Sequence, residues 1–373
     1  MRSAKILLVT VGLLATVGVT ACTNGNDPAT DGNGVSATGR TSDAKIGVIL
    51  PDTTSAQRWS NDDPRYLKEA FDAADVAVDI ENAQGSKARF AQIADRMIKG
   101  GVKVLMIVNL DSASGAAVLA KARSAGVKTI DYDRLTLGGG ADYYVSFNNV
   151  RVGELQGYGM VKCLTAHGQK NPVVAELNGS PDDNNATLFK QGYDSILQER
   201  YDSAEYTKGP DQWTPDWSTE QGRGIFSQML SQRPDITGVL AANDALANTV
   251  IDVLRKRRLN GKLVVTGQDA TIQGLQNILL GDQCMTVYKP VEPEAQAAAN
   301  LAISIYRGQP MTVIGQIKDP ESAKYIPYLT LQPRAIDISS IKELVDDGFV
   351  TVDQLCAGSF APLCTKYEIS KAS

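Results

Sequence analysis

The segment VVAELNGSPDDNNA, residues 173–186, decides the fold of this chain. Its apolar first half predicts a buried strand, which ends abruptly in a polar loop before a helix predicted from Ala186. The same succession occurs four more times, at Val127–Ile130 before Asp131-Tyr132-Asp133-Arg134, Val239–Ala242 before Asn243-Asp244, Leu263–Val265 before Gln268-Asp269, and Met285–Tyr288 before Lys289. Such runs are typical of parallel strands buried on both faces, whose carboxyl ends meet at one edge of a sheet.

Strands alternate with helices along most of the chain, which predicts an α/β fold with two doubly wound parallel-sheet lobes. From residue 44 onward there are about 330 residues, a length that suits two cores better than one. The chain is predicted to cross between the lobes near 147–149, 288–291 and 327–331, which would make a three-segment hinge. The predicted N-terminal lobe is 44–147 plus 291–327, and the predicted C-terminal lobe is 148–290 plus 328–373.

The first 22 residues read as an export signal. Arg2 and Lys5 precede Ile6–Val19, an apolar stretch too short to span a membrane comfortably. It ends at Val19-Thr20-Ala21-Cys22, which looks like a bacterial lipobox and predicts a lipid on Cys22; an ordinary cleaved signal is the alternative. Residues 23–43 are nearly all small and polar, so we expect a flexible tether that holds the protein at the outer face of the cell membrane.

Four further cysteines follow Cys22, and outside the cell an even number implies disulfides. Four cysteines allow three connectivities. Cys356 and Cys364 bracket a short loop and are easy to pair, which leaves Cys163 with Cys284. Free buried thiols are the alternative.

Several classes of function are disfavoured by the composition. The net charge of −5 and the lack of a basic run argue against nucleic-acid binding. The single histidine, His167, excludes a two-histidine metal site and lies far from every polar cluster, and there is no phosphate-binding glycine motif. We therefore predict no metal and no cofactor. Acid pairs such as Asp131/Asp133 and Asp182/Asp183, with Asp269, leave a glycosidase open beside a binding protein.

Tryptophan placement indicates the ligand. The only three, Trp59, Trp213 and Trp217, lie in loops just after predicted strands, beside the polar clusters. An aromatic plane can pack on the apolar face of a sugar ring while surrounding polar groups meet its hydroxyls; packing in the core is the alternative for each one. We expect a small, uncharged ligand covered with hydroxyl groups.

Short motifs occur in a specific order along residues 44–350: Gln57-Arg58-Trp59, Tyr132-Asp133-Arg134, Ser146-Phe147-Asn148-Asn149, Val152-Gly153-Glu154-Leu155-Gln156, Gly179-Ser180-Pro181-x-Asp183-Asn184-Asn185-Ala186, Asp211-Gln212-Trp213 with Trp217, Asn243-Asp244-Ala245, Gly267-Gln268-Asp269-Ala270, and Met285-Thr286-Val287-Tyr288-Lys289-Pro290. In order and spacing they resemble the type I periplasmic sugar-binding proteins of ABC importers.

The resemblance implies roles for individual residues. Those that would hydrogen-bond a sugar are Arg58, Asp133, Arg134, Asn185, Asn243, Asp269 and Lys289. Those that would pack on its ring are Trp59 and Trp217. A second tier would support them: Asp183, Trp213 and Asp244. Two plainer interpretations stay open, namely a simple Asp133–Arg134 salt bridge and helix capping by Asn243-Asp244.

The resemblance also implies a function: capture of a monosaccharide between closing lobes by a monomer, for delivery to an ABC permease with its ATPase. D-xylose is the first candidate, and glucose would need a pocket one hydroxymethyl group larger. A sensory receptor for a membrane kinase and a glycoside-cleaving enzyme are the alternatives. The lipid anchor, the four cysteines and the tail beyond residue 350 depart from the soluble periplasmic pattern.

Overall fold

The computed structural model describes residues 45–309 and 311–370, which contain two β-sheets with helices on both faces. Cys22 and the tether at 23–43 lie outside the described residues. In chain order the strands are β1 (Ile46–Leu50), β2 (Val78–Asn82), β3 (Val104–Ile107), β4 (Lys128–Tyr132), β5 (Tyr143–Phe147), β6 (Val173–Asn178), β7 (Thr207–Trp213), β8 (Gly238–Ala241), β9 (Val264–Thr266), β10 (Met285–Tyr288), β11 (Gln316–Lys318), β12 (Tyr325–Leu331) and β13 (Arg334–Asp337).

The first sheet has the strand order β11-β12-β5-β4-β3-β1-β2, and the second has the order β13-β10-β9-β8-β6-β7. Pairing is parallel throughout except at one end of each sheet, where β11 and β13 run antiparallel to their neighbours. β1, β3, β6 and β8 are buried along their whole length, as expected for strands covered on both faces. The two-lobe α/β prediction is confirmed.

Helices connect most of the successive strands, and three more follow β13. They are α1 (Asp62–Ala73), α2 (Lys87–Lys99), α3 (Ser112–Ser124), α4 (Asn149–Ala166), α5 (Asn184–Asp202), α6 (Thr219–Gln232), α7 (Asp244–Lys256), α8 (Ile272–Leu280), α9 (Val291–Tyr306), α10 (Ile341–Asp346), α11 (Val352–Leu355) and α12 (Ala361–Lys366). Two short 3-10 turns, Gln57–Trp59 and Pro215–Trp217, follow β1 and β7. No helix of the described residues is long and apolar enough to cross a membrane.

The chain passes between the sheets three times, from β5 to α4, from β10 to α9 and from β12 to β13. The first two crossings agree with the predicted segments. The third was predicted too early, because Tyr328–Leu331 pair in parallel with Tyr144–Phe147 and so belong to the first sheet. The crossing therefore lies at 332–333, and the expected boundary at 327–328 is wrong. An extended segment looks the same in sequence whether it joins a sheet or links two.

Both disulfides predicted from the cysteine spacing are present. Cys163 of α4 is bonded to Cys284, just before β10, and closes a sequence separation of 121 residues. Cys356 is bonded to Cys364 across a separation of 8 residues. The second disulfide lies in the tail, where Leu344, Val350 and Leu355 pack in one apolar cluster with residues of α8.

We predict that the long-range disulfide stabilises the fold more than the tail disulfide does. By the loop-closure relation, loops of these lengths contribute about 5 and about 2.5 kcal/mol respectively. The double variant C163A/C284A should therefore lose about twice the free energy of unfolding that C356A/C364A loses, as measured by denaturant titration. An equal or reversed order would contradict the prediction.

Candidate functional site

Loops at the carboxyl ends of both sheets meet in one place. On the first sheet they carry Arg58 and Trp59 after β1, and Asp133 and Arg134 after β4. On the second sheet the loops after β6, β8, β9 and β10 carry Asp183, Asn243, Asp269 and Lys289, while Asn185 and Asp244 lie in the first turns of α5 and α7. Local structure helps to place several of them, because the Asp183 and Asn243 side chains cap α5 and α7.

Arg58 is buried and surrounded by three carboxylates. Its Nε and Nη2 donate to the two oxygens of Asp63, each at 2.7 Å. Nη2 also donates to Oε2 of Glu294 at 2.5 Å, and Nη1 donates to Oδ2 of Asp133 at 2.9 Å. Tyr132 adds a hydrogen bond to Asp63 at 2.6 Å. These acids hold the pKa of Arg58 well above its ordinary value although burial opposes this.

Asp133 is where the two lobes meet. Its Oδ2 lies 2.9 Å from Arg58 and 3.8 Å from Nζ of Lys289. From the second lobe, Nδ2 of Asn185 donates to both the backbone oxygen and Oδ1 of Asp133, each at 3.0 Å. Burial alone would raise the pKa of Asp133, but Lys289, Arg58 and Arg134 outweigh burial and hold it below the ordinary value. Asp133 is therefore an ionised, fully paired carboxylate.

Asp133 and Asp269 occupy equivalent backbone positions in the two sheets. Both have a left-handed φ, of 60° and 101°. The amide of Asp133 bonds to Val145 of β5 at 2.8 Å, and that of Asp269 bonds to Val287 of β10 at 2.9 Å. The neighbouring strand thus supports a conformation that non-glycine residues rarely adopt, and such strain is common at functional sites. Oδ1 of Asp269 lies 3.5 Å from Nζ of Lys289.

Further polar contacts join the lobes around Arg134 and Asn243. Nε of Arg134 lies 2.9 Å from Asp183, and its Nη2 donates to Oγ of Ser55. Nδ2 of Asn243 donates to the backbone oxygen of Ser55 at 3.2 Å, while its Oδ1 caps α7 through the amide of Leu246. Capping and a contact across the cleft are therefore both true of Asn243. The simple Asp133–Arg134 salt bridge is not what these contacts show, because the carboxylate paired with Arg134 is Asp183.

Two of the three tryptophans lie among these groups. The Arg58 guanidinium is 4.4 Å from the ring centroid of Trp59, and that of Arg134 is 5.7 Å from the same centroid. Nε1 of Trp59 is buried, and no partner occurs for it within the described residues. Trp217 donates from Nε1 to Asp183 at 3.1 Å, and its ring covers Gly179 so closely that a Cβ there would lie 2.1 Å from the ring.

Trp213 differs from the other two tryptophans. It is the last residue of β7, paired with Asn178 of β6, so its predicted position in a loop is wrong. It packs against the apolar core of the second lobe, as the core alternative for the tryptophans allowed.

Asp244 is buried beneath the turn that carries Asp269 and is hydrogen-bonded to residues near that turn. Its carboxylate accepts hydrogen bonds from the amide of Thr271, from Oγ1 of Thr286 and from Gln283 at 2.8–2.9 Å. Burial raises the pKa of Asp244 to about 7. These bonds anchor the turn that carries Asp269.

A cavity of about 560 Å³ borders the network of contacts. One side is formed by Arg58, Asp269 and Lys289, and another by Phe349 and Val350 of the tail. A second cavity of about 290 Å³ lies against Ser55, Arg134, Asp183 and Trp217. Within the described ranges there is no cluster of His, Cys, Asp and Glu arranged to hold a metal ion.

All nine first-tier residues are thus linked by contacts, while four further participants were not predicted as site residues from sequence, namely Ser55, Asp63, Tyr132 and Glu294. Asp63 and Glu294 look like ordinary acids in the first turn of a helix, and Tyr132 looks like a strand residue. The sequence offered one signal for a buried acid. Glu294 stands in the first turn of a helix in which most of the later residues are apolar.

Known proteins are similar to this chain over most of its length. Residues 46–310 match the family model of the periplasmic binding protein domain. The chain is 32% identical over 309 residues to the D-xylose-binding periplasmic protein of Escherichia coli K12, covering 82% of this chain and 91% of that protein. It is 33% identical over 330 residues to a multiple sugar-binding periplasmic protein of Azospirillum brasilense, covering 83% and 90%.

A solved structure is similar over the same region. The ABC transporter solute-binding protein from Clostridium phytofermentans, with bound β-D-glucose, gives a TM-score of 0.76 at 28% identity and covers 83% of this chain and 99% of that one. These relatives are sugar-binding or solute-binding proteins. The family match spans most of the chain, the fold agrees, and the chain therefore belongs to the periplasmic binding protein domain family.

Proposed function

We propose that this protein is the extracytoplasmic substrate-binding component of an ABC sugar importer and captures a monosaccharide between its two lobes. The observation that carries the proposal is the meeting of Arg58 and Asp133 from one lobe with Asn185 from the other, beside Lys289 of a hinge segment. Two indole rings lie beside these groups, and dense donors and acceptors with aromatic surface suit a neutral ring covered with hydroxyls.

The number of polar groups is sufficient for useful affinity. Hydrogen bonds to charged groups contribute roughly 1.5–3 kcal/mol each and neutral ones about 1. Association and closure cost about 4–15 kcal/mol. Seven polar contacts with stacking therefore reach about −8 kcal/mol, which is micromolar binding. Specificity would follow from pairing every hydroxyl, since a missing hydroxyl leaves a buried polar group unpaired.

The protein would act as a monomer tethered through a lipid on Cys22 and would present its closed form to a membrane permease driven by an ATPase. The support for the anchor is the sequence of residues 1–22 alone. A tether suits a receptor that has no closed compartment to retain it.

We predict that D-xylose binds more tightly than D-glucose. The reason is the similarity to xylose-binding relatives, which implies a pocket without room for an additional hydroxymethyl group. Isothermal titration calorimetry of the purified residues 44–373 with a panel of pentoses and hexoses measures this. Tighter glucose binding would overturn the choice of xylose, and no binding to any aldose would overturn the proposed function.

Replacing Asp269 should weaken sugar binding strongly. D269A removes a charged acceptor and leaves Lys289 with one carboxylate fewer. The binding free energy should fall by about 2–3 kcal/mol, which raises Kd about 30- to 150-fold. The matched control is D202A, which removes an exposed aspartate at the end of α5. Calorimetry should find unchanged affinity in the control; unchanged affinity in D269A would remove Asp269 from the site.

Replacing Cys22 should release the protein from the membrane. C22S removes the thiol to which the lipid would be attached, so the expressed protein should move from the membrane fraction to the medium or soluble fraction. Fractionation with immunoblotting measures the change, and C356A/C364A serves as a cysteine control that stays with the membrane. Equal membrane retention of C22S would contradict lipid anchoring at this residue.

A further inference from the structure

We propose that Glu294 is a positioning residue for the sugar-binding guanidinium of Arg58, and that its carboxyl group takes up a proton when the lobes close, so that sugar affinity falls as pH rises. This inference rests on the proposed function, because it concerns the linkage between closure on a sugar and protonation. It adds a residue from α9 to the site.

Glu294 holds a different nitrogen of the Arg58 guanidinium from the one that Asp133 holds. It lies on the first turn of α9, just after the second hinge crossing, and is completely buried. Together Glu294 and Asp63 occupy Nε and Nη2 of Arg58, which leaves Nη1 directed to Asp133. Because Asp63 and Glu294 hold Nε and Nη2, the planar guanidinium of Arg58 is fixed in one orientation.

Comparison of the three acids around Arg58 identifies the one that carries a proton. Asp63 accepts two hydrogen bonds from Arg58 and one from Tyr132. Asp133 is paired with Arg58, Asn185 and, more distantly, Lys289. Glu294 has a single contact at Oε2, while its buried Oε1 has no partner within the described residues.

Charge on Glu294 is therefore the least compensated of the three. Burying an ionised carboxylate requires pairing and further hydrogen bonds, and here one guanidinium is shared among three acids. The neutral acid avoids most of this penalty. Glu294 can still accept from Arg58 through Oε2 when its other oxygen carries the proton.

Charged groups around Glu294 act on its ionisation in both directions. Arg58 and Lys289 favour its ionised form, whereas Asp133, Asp63 and burial disfavour it, and the balance raises the pKa of Glu294 to about 8. The nearby phenols of Tyr132, Tyr144 and Tyr328 have raised pKa values because of burial, so they are neutral near pH 8.

Cleft opening changes this balance. Arg58, Asp63, Asp133 and Glu294 all belong to the first lobe, so the cluster persists when the second lobe moves away. Opening admits water to Asp133 and Arg58, which reduces the burial penalty and brings the pKa of Glu294 nearer its ordinary value. The closed form then holds more protons than the open form, so affinity is highest at low pH, declines as pH rises toward about 8, and levels off above it.

The test is a sugar titration by calorimetry at pH 6 and pH 8.5, with the tightest-binding aldose of the panel. The wild type should lose at least fivefold in affinity between the two pH values. E294Q replaces the acid with a neutral amide of the same shape. The affinity of E294Q for the sugar should therefore differ by less than twofold between the two pH values. E294A removes the contact to Arg58, so it should bind more weakly than E294Q at both pH values.

Two further measurements keep the test decisive. Titration at pH 7.5 in buffers of different ionisation enthalpy counts the protons taken up on binding, which should exceed zero in the wild type even if E294Q fails to fold. D244N and D131N control for two other buried acids near the site, in which burial raises the pKa to about 7, and each variant should retain the pH slope.

The inference is overturned if the wild type has the same sugar affinity at both pH values. It is also overturned if E294Q keeps the wild-type change in affinity with pH, or if D244N abolishes that change. In each of these cases sugar binding itself is observed, so the proposed function stands. If no aldose binds at either pH, the proposed function fails and this inference fails with it.

Discussion

The carboxylate of Asp133 receives a guanidinium from its own lobe, an amide from the other lobe and an ammonium from a hinge segment. A buried charge with this many partners is stable only while all of them are present, because removing one leaves the rest of the charge uncompensated. Contact between the two lobes therefore depends on the pairing of Asp133. The same requirement extends outward, since Arg58 is itself held by Asp63 and Glu294.

The fold supplies this arrangement through the geometry of parallel strands. Their carboxyl ends share one edge of each sheet, and three crossings bring the two edges face to face. At Asp133 and Asp269 the chain leaves its strand with a left-handed φ, supported in each case by a hydrogen bond to the next strand. Asp133 and Asp269 are therefore placed by the same local backbone geometry in the two lobes. The strands set the positions of both acids, and the crossings join the two sheets.

A long-range disulfide and the C-terminal tail lie next to the residues of the site. The Cys163–Cys284 disulfide ties the helix after the first crossing to the strand before the second. The tail, closed by its own disulfide, packs on α8 and places Phe349 and Val350 at the wall of the larger cavity. The tail, which departs from the pattern of the soluble relatives, therefore borders the same cavity as Arg58, Asp269 and Lys289.

The sequence by itself determined the features that depend on neighbours along the chain. Alternating apolar runs and helices specified the two α/β lobes, and polar clusters directly after strands marked most of the site, because strand ends in a parallel sheet must share an edge. The tertiary structure alone decided the rest. Glu294 reads as an ordinary helix-start acid until it meets Arg58, which is 236 residues away. Tyr328–Leu331 and Trp213 belong to sheets through pairing with strands that the sequence does not specify. Periodicity and spacing report local geometry, whereas the partner of a buried charge or an edge strand is fixed only when distant segments pack together.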